Sequence, residues 1–230
     1  MSPVAAPAIK RAIKEQLWAA LRPHGFVHTA AWLAWRDSPH GLDIVEVQPG
    51  KWNAYGDGAP LGFYLNLAVD LHAIPPLYAA APSAKPPRPE PAACSFRWRL
   101  RPAAAAEEDQ DLWQVPGDGV GHTAGFAAMA EALAAGALPY FARFADPEAL
   151  LDGLDGGGDG APPDLFGRAA ARSPARQRDV AYLALALGRW EQAAAAFEQA
   201  LGYGPWVAQP ALRAPLEAGL ARARERLGPG

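Results

Sequence analysis

The run "LGFYLNLAVDLH", residues 61–72, constrains this chain more than any other segment. Leu61, Phe63, Leu65, Leu67, Val69 and Leu71 recur with a period of two, so in a strand they share one face. Tyr64, Asn66, Asp70 and His72 then share the other. A helix would scatter the same residues around its circumference. A strand with one oily and one polar face belongs in a sheet covered on one side only, which is the habit of antiparallel sheets. Shorter alternating runs accompany it: "AWLAWR" at 31–36, "LDIVEVQ" at 42–48 and "CSFRWRL", extended by Arg101, at 94–101. Between them stand "DSPHG", "PGKWNAYGDGAP" and a segment, 81–93, too rich in proline for a helix or a central strand and better suited to an exposed loop. Four such runs separated by turns predict an antiparallel meander.

Helical spacing frames this sheet. Ile9, Ile13, Leu17 and Leu21 fall four apart, with charged residues between them, which predicts an amphipathic helix over 8–22 ended by "RPHG". The pattern returns at 124–135 and in "LPYFARFADPEALLDGL", where Asp146 is placed to cap a helix opened by Pro147. Residues 1–152 therefore read as an α+β domain: an N-terminal helix, a meander sheet and flanking helices. The string "DGGGDGAPP" predicts a flexible linker, and the domain boundary is placed at 153–163. Beyond it, within 164–230, "RDVAYLALALGRWEQAAAAFEQALGYGP" predicts a helical hairpin. Gly188 makes the turn, Ala193 and Ala200 allow close approach, Phe197 fills the gap and Pro205 stops the second helix. That spacing resembles a tetratricopeptide repeat, more closely in the turn and second helix than in the first, where Ala181 and Ala184 replace larger residues. A single hairpin cannot bury its own apolar face, so it should pack, with a last helix near 211–227, on itself and on the sheet.

Composition narrows the function classes. Half of the 230 residues are apolar, enough for a sizeable core, and the net charge of −3 gives no global positive field. Nucleic acid is accordingly not an expected partner. The single cysteine, Cys94, cannot form an internal disulfide, the N-terminal segment lacks an apolar signal core, and no run of about 18 apolar residues occurs. A cytoplasmic protein without a membrane span is expected.

The ordered string "LRPHGF … WLAWR … IVEVQ … FYLNLAVDL … CSFRWRL … LPYFARF" resembles the bacterial family known as domain of unknown function 4304. The matching positions are Gly25 and Phe26, Trp35 and Arg36, Gln48, Asn66, and Arg97 and Arg99, and the resemblance covers roughly residues 8–152. It implies an α+β fold and assigns no activity. The position after the cysteine, where the family pattern often has a histidine, is Ser95 here, so no histidine role carries over.

The candidate site follows from the alternation in 94–101. Cys94, Phe96, Trp98 and Leu100 point to the core, leaving Arg97, Arg99 and Arg101 on the opposite face. If the strands pair in sequence order, Gln48, Glu46, Tyr64 and Asn66 lie on adjacent strands roughly 5 Å away. Guanidinium forks beside amides suit capture of a carboxylate or phosphate, carried by another protein or by a small anionic ligand. The predicted binding set is Arg97, Arg99, Gln48, Asn66 and Tyr64, with Trp52 from the loop that also holds Tyr55. The plainer alternative pairs the arginines internally with Glu46 and Asp70, or with the acidic run Glu107 to Asp111, and folds the loop aromatics back over the sheet. Trp32 and Trp35 fall on opposite faces of their strand.

An enzymatic alternative would use Arg97 and Arg99 as an anion clamp and His72 or Asp70 as base, but no nucleophile elbow accompanies them. No catalytic residue, metal or cofactor is assigned. His24 and His28 straddle a helix-ending turn, and Asp152, Asp155 and Asp159 miss the ligand spacing of a calcium loop. The reading is a non-enzymatic interaction module, of immunity or adaptor type by analogy with other small, motif-poor bacterial α+β proteins.

Overall fold

The alternating runs form strands of one antiparallel sheet. The computed structural model describes residues 6–51, 53, 58–75, 89–102, 111–118, 121–155, 173–204 and 208–228. Its strands are β1 (His28–Thr29), β2 (Leu33–Ser38), β3 (Gly41–Pro49), β4 (Leu61–Leu71), β5 (Phe96–Leu100) and β6 (Trp113–Val115). They lie in the order β1-β2-β3-β4-β5, with β6 also paired to β4. Strand β5 takes residues 65–69 of β4 and β6 takes 61–63, so the two share one edge. The order from β2 to β5 is the predicted meander. Strands β1 and β6 were not foreseen, because two or three residues cannot display an alternation.

Helix α1, residues 6–21, buries Ile9, Ile13, Leu17 and Leu21 completely, each at 0% exposure, and widens into a π-turn at Ile13–Trp18. A 3₁₀ turn at Arg22–His24 ends it, and Gly25 follows at φ 87°, a left-handed conformation in which a side chain would be strained. Helix α2 (Gly121–Ala142) starts before the predicted 124–135 and joins it to the short helix expected in "LPYFARF", so two predicted segments form one helix. By length and composition it is apolar enough to cross a membrane, but in the fold its Phe126, Met129, Leu133 and Phe141 belong to the core under the sheet. Helix α3 (Pro147–Asp155) is capped as expected: the Asp146 carboxylate accepts from the backbone N–H groups of Glu148 at 3.0 Å and Ala149 at 3.2 Å. Residues 153–155, expected to open the linker, are its last turn; residues 156–163 lie outside the described part of the chain.

Helices α4 (Pro174–Ala186), α5 (Trp190–Leu201) and α6 (Pro210–Leu227) complete the described chain. Gly188 lies in the turn between α4 and α5; Pro205 is outside the described residues. Phe197 is fully buried, with the Tyr182 ring edge-on at 5.1 Å. The α6 backbone comes so close that a Cβ on Gly219 would lie 2.3 Å from the tip of the Phe197 ring. One apolar cluster runs from α1, α2 and α3 through the Leu61-to-Leu71 face of β4 to Val180, Leu183 and Phe197. The C-terminal helices thus share a core with the sheet.

Candidate functional site

The face of the sheet turned away from α1 and α2 carries the predicted polar residues in register. Leu33, Glu46, Asn66 and Arg99 form one row across β2, β3, β4 and β5, with Gln48 opposite Tyr64 on one side and Ala68 opposite Arg97 on the other. Asn66, only 7% exposed, is the hub. Its amide nitrogen donates to Glu46 Oε2 and to Gln48 Oε1, both at 2.9 Å, and its oxygen accepts from Arg99 Nε at 3.1 Å. A buried amide satisfied from three sides fixes its neighbours as much as itself. Arg99 is further held by stacking its guanidinium 4.3 Å above the Tyr64 ring and by an Nη1 contact of 3.4 Å to Asp111. Asp111 also receives Arg101 Nε at 2.7 Å.

These contacts decide how Arg99 and Arg101 are used. Arg99 and Arg101 are tied to Asp111 and not to Glu46 or Asp70, the expected internal partners; Glu46 serves Asn66 instead. Asp111 is the end of the acidic run singled out in the sequence, and residues 107–110 lie outside the described part. Two neighbours of the arginines depart from expectation. Cys94 does not share the core face of Phe96: it joins Ile44 and Ala68 in a small cluster on the polar face. The reason is the 3₁₀ turn at Pro91–Ala93 and the bend at Ser95, which delay the start of β5 to Phe96 and break the alternation upstream. Burial and the Asp70 carboxylate push the Cys94 thiol up to about 12. Trp98 keeps its predicted side, packed against the core and stacked on Tyr140 at 5.5 Å. Trp32 and Trp35 do fall on opposite faces, one against the main core and the other against the Ile44 cluster.

A recess opens on this face. Glu46, Gln48, Asn66, Arg97 and Arg99 line it over the β4 backbone at Leu67 and Ala68, with Pro91 and Ala92 as a wall, and it encloses about 160 Å³. Two guanidinium groups against one carboxylate leave it net positive. Of the predicted binding set it gathers Arg97, Arg99, Gln48 and Asn66; Tyr64 supports it from beneath Arg99; Trp52 and Tyr55 lie outside the described residues. The proposed bases are not there. His72 stands beyond the end of β4 and lines a different cavity, while Asp70, half-buried on the polar face opposite Leu42, is absent from the recess lining. Burial raises the Asp70 carboxyl above its ordinary range, with His72 partly offsetting this.

Two charged clusters escaped the sequence reading. On the helix-covered face, Arg36 grips the buried Asp43 through Nε and Nη2, each 2.7 Å from Oδ2, donates to the His24 carbonyl at 2.6 Å and lies over the Phe26 ring. Burial raises the Asp43 carboxyl and the arginine opposes the rise. Beneath α4, Arg178 Nη1 meets Asp179 Oδ1 at 2.8 Å, Ser95 donates to the same oxygen at 3.0 Å, and Arg178 Nη2 donates to the Pro75 carbonyl. This cluster joins α4 to the exit of β4 and the entry of β5. Burial lifts the Asp179 carboxyl to about 6 although Arg178 and Ser95 pull it down. The only hint in the sequence was Arg36, which belongs to the family-like pattern; nothing marked Arg178 or Asp179. Comparison with models of known families, with curated proteins and with solved structures gives no match.

Proposed function

We propose that the protein is a non-enzymatic recognition module that takes a carboxylate or phosphate group, offered by a partner protein or a small ligand, into the recess on the polar sheet face. The observation that carries this reading is the convergence of Arg97 and Arg99 with Gln48 around a concavity whose geometry is fixed by the buried Asn66 hub. At about 160 Å³ the recess is smaller than the ~300 Å³ at which drug-sized sites begin, and it suits one anionic group and not a nucleotide. Within it the roles divide. Arg99 is positioned by Asn66, Tyr64 and Asp111, whereas Arg97 contributes its charge at the Ala68 end, beside the Pro91 wall. A fork held in place in advance loses little entropy on capturing an oxyanion. The proposed kinship with the domain of unknown function 4304 family agrees, since Arg97, Arg99, Gln48 and Asn66 are among the positions that carry it. An immunity or adaptor role in the cytoplasm is the biological setting we infer.

The test is a thermal-shift titration of the full chain with inorganic phosphate and with succinate at constant ionic strength. Wild type should gain stability in a saturable manner. Arg97→Ala should melt near wild type without ligand and gain nothing from either anion. Equal gains in wild type and variant would sink the reading.

A further inference from the structure

A second cavity, of about 300 Å³, lies where the sheet meets the C-terminal helices. Leu71 at the end of β4, Phe144 after α2, Leu150 of α3, and Leu183 of α4 form apolar walls. Polar character enters on one side only, from His40 in the β2–β3 turn and His72 just past β4, two segments tied by a backbone hydrogen bond of 2.9 Å from His72 N–H to the His40 carbonyl. Among the described residues lining this cavity, these two imidazoles are the only ionisable side chains. Asp70 projects from the other face of β4, and the α3 carboxylates Glu148 and Asp152 are engaged by Arg189.

Walls of leucine and phenylalanine with a few convergent polar groups are the ordinary make-up of a small-molecule site, and 300 Å³ is at its lower size limit. Imidazole N–H groups donate to an oxygen head group, and among the described lining residues there is no carboxylate to pair with a cationic head. We propose that this cavity binds a small amphipathic carboxylic acid, with its hydrocarbon body against Leu71, Phe144 and Leu183 and its carboxylate at His40 and His72. The site is distinct from the anion recess, and neither proposal depends on the other.

Titration calorimetry on the full chain with octanoate, n-octanol and octylammonium tests it. Octanoate should bind at a single site, more tightly than the alcohol, and octylammonium should not bind. His40→Leu combined with His72→Leu should weaken octanoate about tenfold, as expected for loss of hydrogen bonds to a charged group, and leave n-octanol within about twofold. Ala186→Trp, at an exposed residue of the rim, should block both ligands without touching the core. In wild type, the ring signals of His40 and His72 should shift on adding octanoate. Unmoved histidine signals, octylammonium binding as tight as octanoate, or octanoate binding retained in Ala186→Trp would each overturn the proposal.

Discussion

Two arginine–carboxylate assemblies flank β5, and they differ in how much water reaches them. Under α4, the Arg178 and Asp179 side chains are 7% and 9% exposed, and with Ser95 and the Pro75 carbonyl they form a closed set. On the polar face, the Arg99 and Asp111 side chains are 28% and 20% exposed, and the cluster opens onto a recess. A closed, dry ion pair is costly to break and has little left to offer a ligand. A half-wet pair is cheap to rearrange, and its arginine can remain a donor toward solvent. The same residue types thus serve as a joint in one place and as the rim of a candidate site in the other.

The comparison breaks most readily at the buried joint. Arg178→Leu should cost about 3–5 kcal/mol in denaturant unfolding, because it strands the Asp179 carboxylate in the interior. Arg178→Leu with Asp179→Leu should cost clearly less than the single change; an equal cost would mean that the Ser95 and Pro75 contacts, and not the ion pair, hold the joint. Asp179 also sets a pH signature. Its folded value near 6 lies above the ordinary 3.8, so between about pH 4 and 6 the folded state keeps a proton that the unfolded state has released. The associated stability is fully present below pH 4, is lost as pH rises through 6, and amounts to roughly 2–3 kcal/mol at about 1.4 kcal/mol per unit. Asp179→Asn should flatten that part of the stability curve relative to wild type. Asn66→Leu should cost about 2 kcal/mol, since it removes the donor shared by Glu46 and Gln48 and the acceptor of Arg99. Arg99→Ala should cost least, about 1 kcal/mol, and the difference from wild type should shrink in high salt.

The two assemblies were also unequally legible. Strand β4 could be read because its alternation survives all 11 residues, and the polar row followed once neighbouring strands paired in order. Arg99 could be placed on the polar face, and the acidic run Glu107 to Asp111 stood among its possible partners, but no local pattern singled out Asp111 over Glu46 and Asp70, because it reaches the arginine from beyond the strand. Cys94 was misplaced because the period-two reading was carried back past Phe96, through the bend at Ser95, to a residue that caps the 3₁₀ turn at Pro91–Ala93. The Arg178 joint was invisible for a different reason. Helix α4 is buried without a break from Arg176 to Leu185, so it has no amphipathic stripe to separate a joint from a surface, and its partner Ser95 lies 84 residues earlier than Asp179.

The central claim is that Arg97 and Arg99 together hold an anion in the recess, with Arg99 positioned by the Asn66 hub. It is tested most directly by following the side-chain Nε–H resonances of both arginines while inorganic phosphate replaces chloride at constant ionic strength. The account predicts a saturable shift of the Arg97 signal that disappears in Gln48→Ala or weakens strongly there, together with a smaller shift of Arg99. An Arg97 signal that does not move, or that moves linearly without saturation, would contradict it.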